Sequence, residues 1–471
     1  MVSTAERQSS WTDLEQAIKN GKPLNEITRL LDSGVPTTGW SPSPEGGALV
    51  TAVNAEREDI MSLLLDRGAD INMVGGEYGT ALVAASLKGF GKTVKLLLDQ
   101  GADINMVVGK YGTALVAAAL SGFDSIIELL LDRGANVDMA VSEYGTALTT
   151  GASRGLDTII DLLIDRGADI NMVGGDHGTA LAAAAAGGYV GTVQLLLDRG
   201  ADTNVVVSGK HGTALAIAAF NGFPVVVELL LDRGADINTP SDKYGTALAA
   251  AALGGRVGVV SLLLDRGANI NTVDGVYGTA LAAAAYKGFE EIVELLLDRG
   301  ANINLGTSSK YGTAFAAAAH RAEKDILSLL LDRGADINTV CEKYGTALAA
   351  AAVGGKLDTV LLLLDWGAKI NVVGGTYGTA LAAASFAGVD DTVRLLLDRG
   401  ADINVVGGKY GTALAAAASK GEISVVSLLL EHGADITHVC GSYSTPIGKV
   451  NTAIGIPASI SYAIHRVVSP Q

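Results

Sequence analysis

Two cysteines, Cys341 and Cys440, are all the thiol chemistry that 471 residues offer. They cannot build a disulfide framework, and no C-x-x-C pair marks a redox or zinc site. The six histidines never fall into H-E-x-x-H or another metal-ligand spacing, so no metal and no cofactor are expected. Aromatic residues are scarce, at 5%. Cations are in deficit: 34 Lys and Arg stand against 50 Asp and Glu, a net charge of −16. That balance excludes a nucleic-acid backbone as the main partner, because such binders carry a basic face. No uninterrupted apolar run approaches the roughly 18 residues of a membrane span, so no membrane partner is expected. The opening MVSTAERQSSWTDLEQ lacks the apolar core of a secretory signal, and a cytoplasmic protein is the simplest expectation.

What the chain has instead is repetition. Sixty glycines are almost twice the usual share of roughly 7%. A [YH]-G-T-A-[LF] phrase begins at Tyr78, Tyr111, Tyr144, His177, His211, Tyr244, Tyr277, Tyr311, Tyr344, Tyr377 and Tyr410, in steps of 33 or 34 residues. Each phrase is followed by LLLDRGADIN or a close variant. Each unit reads as two short helices. The Thr of the phrase supplies an oxygen to cap the first, which is nearly all Ala, a strong helix former. A glycine such as Gly222 or Gly288 stops it. The second helix carries a Leu/Val stripe at i, i+3, i+4 spacing and ends at the Gly of RGAD. One such unit cannot cover its own apolar faces, so neighbours must stack.

The unit resembles an ankyrin repeat: the step, the T-x-L start, the mid-unit glycine and the LLL-x-x-GAD-[IV]-N close all match. The resemblance implies an all-α ankyrin-repeat solenoid over roughly residues 11 to 466. Its expected parts are a loose tail (1–10), a capping half-repeat (11–34) and a Pro-rich insertion (35–44). Twelve full repeats (45–442) and a degenerate capping repeat with tail (443–471) complete it. The family's usual T-P-L-H start is here T-A-L-A or T-A-L-V, with Pro returning only at Pro446. This Y-G-T-A-L dialect resembles arrays common in fungal proteins, where they often follow a nucleotide-binding signalling module, and none is read in these residues. The resemblance implies a non-catalytic protein-interaction scaffold.

Short motifs that suggest chemistry dissolve into the period. GASRG at Gly151–Gly155 matches G-x-S-x-G, but Ser153 falls at the end of a first helix, where no strand precedes it. GFGKT at Gly89–Thr93 fails the phosphate-loop spacing, because Ser86 stands five residues before Gly91. Cys341 and Cys440 hold equivalent places three units apart, beyond bonding reach at roughly 10 Å per unit. The Asp and Arg of LDRGAD recur at nearly every unit and are expected as ladders of alternating sign along one edge, each pair contributing little.

Function is sought where the units differ. Two residues before the mid-unit glycine, the chain reads Phe220, Leu253, Tyr286, His320, Val353 and Phe386 from the sixth to the eleventh unit, bulky or apolar throughout, before Ser419 in the twelfth. In an ankyrin-like stack this row faces the concave groove. It is either packing between neighbours or a contiguous apolar strip for a partner. The turn tips read Lys210, Lys243, Val276, Lys310, Lys343, Thr376 and Lys409, so every charged tip there is basic. The expected site uses Phe220, Leu253, Tyr286, His320 and Phe386 as anchors. Lys210, Lys243, Lys310, Lys343 and Lys409, with His211 and Arg321 beside them, would meet an acidic protein or peptide. The alternative is an apolar or anionic small molecule, or its turnover in the same groove, with His320 and Arg321 or His177 and His211 as acid/base groups.

Overall fold

A buried Thr hydroxyl begins most repeats, though Gly47 takes its place ahead of Ala48–Asn54. In one unit Thr379 Oγ1 accepts from the Ala382 amide at 3.1 Å and starts the helix Ala380–Ala387. The same bond recurs at Thr113, Thr179, Thr279, Thr313 and Thr412. Four alanines, Leu381 and Ser385 behind it are buried, because mostly small side chains let first helices of successive repeats pack directly on each other. The helix stops at Gly388, in the left-handed region at φ +70°. Its partner Asp390–Asp398 puts two carboxylates in its first turn and buries Thr392, Val393 and Leu396, completing a helical hairpin.

The computed structural model describes residues 4–37, 46–207, 212–241 and 244–436, with the backbone alone for residues 4–11. Among them are 26 helices in 13 successive pairs and no strand beyond isolated bridges, the all-α repeat architecture expected. The first helix, Thr4–Lys19, takes in residues that the sequence pattern assigns to a loose tail. The segments around Lys210, His211, Lys243 and Cys440 lie outside the described residues.

The chain divides into two compact units, the first comprising residues 1–214 and 228–235, the second 215–227 and 236–471. Within each, first helices stack on first helices and second on second. Three ladders tie the repeats together. In the first unit, Arg67, Arg133, Arg166, Arg199 and Arg233 reach back to Asp32, Asp99, Asp132, Asp165 and Asp198. In the second, Arg299, Arg333 and Arg399 pair with Asp265, Asp298 and Asp365 at 2.7, 2.7 and 2.9 Å, and Trp366 interrupts the row. The Asn of GADIN forms the second ladder: Asn338 Oδ1 accepts from the Lys369 amide at 2.8 Å, and Asn371 Oδ1 from Asp402 at 2.9 Å. The third is the connecting hairpin, closed by bonds such as Gly374 N–H to the Gly378 carbonyl at 2.7 Å. Ser153 ends its helix with its hydroxyl donating to the Thr150 carbonyl at 2.8 Å. Cys341 is a buried free thiol.

The core is not fully optimised. Thr359 and Thr392 are completely buried and their hydroxyls have no hydrogen-bond partner. Equivalent positions in other repeats hold Val259, Ile292, Ile326 and Val425. A buried unpaired hydroxyl costs about 1–3 kcal/mol, and Val keeps the shape. Thr359→Val and Thr392→Val are each expected to stabilise by about 1 kcal/mol. A lowered or unchanged urea midpoint would show that these hydroxyls are satisfied.

Candidate interaction surface

In two runs of repeats the tyrosine ahead of the Gly-Thr turn stacks on the one in the next repeat. In the second unit the ring centroids of Tyr277 and Tyr311 are 5.3 Å apart. Tyr311–Tyr344, Tyr344–Tyr377 and Tyr377–Tyr410 follow at 6.2, 6.4 and 6.1 Å. Interplanar angles of 15° to 28° make this a ladder of offset-stacked rings. The first unit has a shorter one, Tyr78–Tyr111–Tyr144, at 5.9 and 6.4 Å.

The bulky row meets this ladder as wedges. Tyr286 sits 5.2 Å from Tyr277 and 4.2 Å from Tyr311. His320 lies between Tyr311 and Tyr344 at 5.8 and 5.1 Å, and Phe386 between Tyr377 and Tyr410 at 5.1 and 4.7 Å. Phe220 stacks on Tyr244 at 4.7 Å. Phe220, Tyr286, His320 and Phe386 are half-buried, so each combines packing with an accessible edge. Leu253 is only 7% exposed and offers a partner little surface.

The turn tips run alongside. Backbone bonds hold them in register: Lys310 N–H donates to the Val276 carbonyl at 3.1 Å. Thr376 donates to Lys343 at 2.8 Å and Lys409 to Thr376 at 2.7 Å. Lys310, Lys343 and Lys409 are exposed. The Lys310 and Lys409 ammonium groups stand 5.1 and 5.7 Å from the Tyr311 and Tyr410 rings, and the Arg321 guanidinium 5.1 Å from Tyr286. These distances are those of cation–π contacts. Lys210, His211 and Lys243 lie outside the described residues, and His177 is half-buried in the first unit.

Burial shapes the titration of the ladder. It raises Tyr311 and Tyr344 above the ordinary phenol value, Tyr344 to about 12, with neighbouring phenols adding to the effect. Burial also lowers His320, against the opposing hydrogen bond from Nδ1–H to the Ala350 carbonyl at 3.1 Å. His320 is therefore neutral near pH 7 and poorly placed as a proton donor. No group of three His, Cys, Asp or Glu among the described residues is arranged to hold a metal ion.

Sequence reasoning passed over two features here. Lys356 and Lys420 flank the same aromatic row, Lys420 at 4.9 Å from Phe386. Val340, Val373 and Val406 line the outer side of successive hairpins at 46%, 48% and 50% exposure. Their signal was a valine recurring at one place in the connecting segment, easily taken for a turn residue.

A family model described as ankyrin repeats in three copies matches residues 14–108, 152–241, 215–307, 281–374 and 373–440. A model of the single ankyrin repeat matches residues 112–141. No curated protein matches the chain.

Proposed function

Because this chain belongs to the ankyrin-repeat family, whose members are generally non-enzymatic protein-interaction modules, we propose that it is a scaffold whose tyrosine-lined face binds an acidic protein or peptide. In the second unit that face runs from Phe220 to Tyr410. The observation that carries this reading is the row of exposed Lys310, Lys343 and Lys409 beside half-buried aromatic edges, in a chain of net charge −16. An acidic protein that gathers cations along one aromatic strip has the means to steer an anionic partner there. Tyr286, His320 and Phe386 are already held by the ladder, so little side-chain entropy is lost when a partner covers them. No helix among the described residues is long and apolar enough to cross a membrane.

The test is capture from an extract of the protein's own cells, followed by affinity measurement with the captured partner. Lys310→Glu, Lys343→Glu and Lys409→Glu together are expected to weaken binding at least about ten-fold at low salt and to flatten its salt dependence. Unaltered low-salt affinity would remove the basic row from the reading.

A further inference from the structure

We propose that Lys310, Arg321 and Lys356, grouped around His320, form a seat for the phosphorylated side chain of a protein partner. This rests on the scaffold reading and narrows it to one place and one chemistry. The three cations come from different elements: a turn tip, the end of the helix Ala314–Arg321, and the residue before the helix Leu357–Asp365. Their common centre is the His320 ring, whose Nδ1 is fixed on Ala350 in the next repeat. Arg321 and Lys310 stand over Tyr286 and Tyr311, two rings whose centroids are 4.2 Å apart. The result is an aromatic floor with a cationic rim.

No ion pair among the described residues neutralises that rim. Among the described residues none of the three makes an ion pair, whereas Arg299, Arg333 and Arg399 on the other edge are all matched to aspartates. Of the acidic side chains around them, Asp358 is paired with Lys324 at 3.5 Å, and the Glu323 carboxylate lies toward Gly288 of the preceding repeat. Charges facing His320 are those of Lys310, Lys356 and Arg321, so the seat keeps three positive charges while the ring stays neutral. One aspartate or glutamate would answer only one of them. A phosphate monoester carries about −1.5 to −2 and three acceptor oxygens, and the Arg fork suits it bidentately. Beyond the seat, the exposed tips Lys343 and Lys409 offer contacts to flanking residues of an extended peptide.

The experiment uses the full-length chain and three degenerate decapeptide libraries whose central residue is phosphoserine, serine or glutamate. The phosphoserine library is expected to be retained at least about ten-fold over both others. Arg321→Ala and Lys356→Ala should each cut that preference several-fold with thermal melting unchanged, and Arg321→Lys should restore part of it. Equal retention of phosphoserine and glutamate libraries, or no retention, would overturn the seat. So would binding to phosphoinositide vesicles with no preference for phosphopeptides. If the seat fails while the Lys310, Lys343 and Lys409 reversal still abolishes capture of the cellular partner, the scaffold reading stands without it.

Discussion

Gly378→Ala is expected to destabilise the second unit by about 3 kcal/mol or more, while Gly400→Ala costs only about 1–2 kcal/mol. Both glycines sit in the left-handed region, at φ +86° and +87°, so the conformational penalty of a Cβ is the same. What differs is the space. A Cβ on Gly400 meets nothing within 4 Å, whereas one on Gly378 falls 2.4 Å from the Gly407 carbonyl oxygen. That oxygen belongs to the backbone of the next hairpin, which cannot yield as a side-chain end would. Relief requires the two hairpins to part, and the tip bond from Lys409 to the Thr376 carbonyl, 2.7 Å, parts with them. The Tyr377–Tyr410 stack at 6.1 Å also depends on this approach. Since each repeat is stabilised chiefly by its neighbours, a wedge between two of them weakens the whole array on either side. Urea unfolding of the two variants, with hydrogen exchange at the Lys409 amide, measures both the loss and its location. Equal losses would mean that the close approach contributes nothing.

That contrast also marks how far the sequence can be read. The Thr cap, the alanine helix and the Leu stripe are local and repeat in every unit, so their columns announced them. The Asp–Arg ladder was legible too, because a recurrent pair of opposite charges in a stacked array has one economical arrangement. The glycine of the Y-G-T phrase was visible as a constant, but its purpose was not. It depends on the distance between one hairpin and the next, and no spacing within a repeat encodes that. The same limit applies to the candidate site. Phe386 and Tyr410 are 24 positions apart in the chain, and only the offset between successive repeats puts one ring 4.7 Å from the other. Phe220, Tyr286, His320 and Phe386 therefore combine packing with an exposed edge, while Leu253 is packing alone, a difference that a list of side chains cannot show. Lys356 was missed for this reason: it is remote from His320 in sequence and adjacent in the stack.

The tyrosine ladder is expected to make stability fall at alkaline pH. Burial, reinforced by neighbouring phenols, raises Tyr344 to about 12 and raises Tyr311, Tyr277 and Tyr377 as well. In the unfolded chain each titrates near 10. Below about pH 10 both states hold their phenolic protons, and the contribution of the ladder is fully present. Between about 10 and 12 the unfolded chain releases protons that the folded one retains, so the unfolded state binds fewer and stability declines as pH rises. Above about 12 the folded Tyr344 ionises too, and its share of the loss levels off. For Tyr344 alone the loss reaches on the order of 2 kcal/mol at most, reduced by solvent screening at the rim of the ladder. The other raised tyrosines act in the same direction within one stack. Melting temperatures taken from about pH 9 to about pH 12, with phenolate absorbance to follow ionisation, should show native stability dropping through this window. Tyr344→Phe keeps the ring and removes the proton. Its melting curve should fall less steeply over the same range, the gap widening as pH rises. Parallel curves for the variant and the native chain would mean that Tyr344 ionises as freely in the fold as outside it, and that the ladder holds its rings without holding their protons.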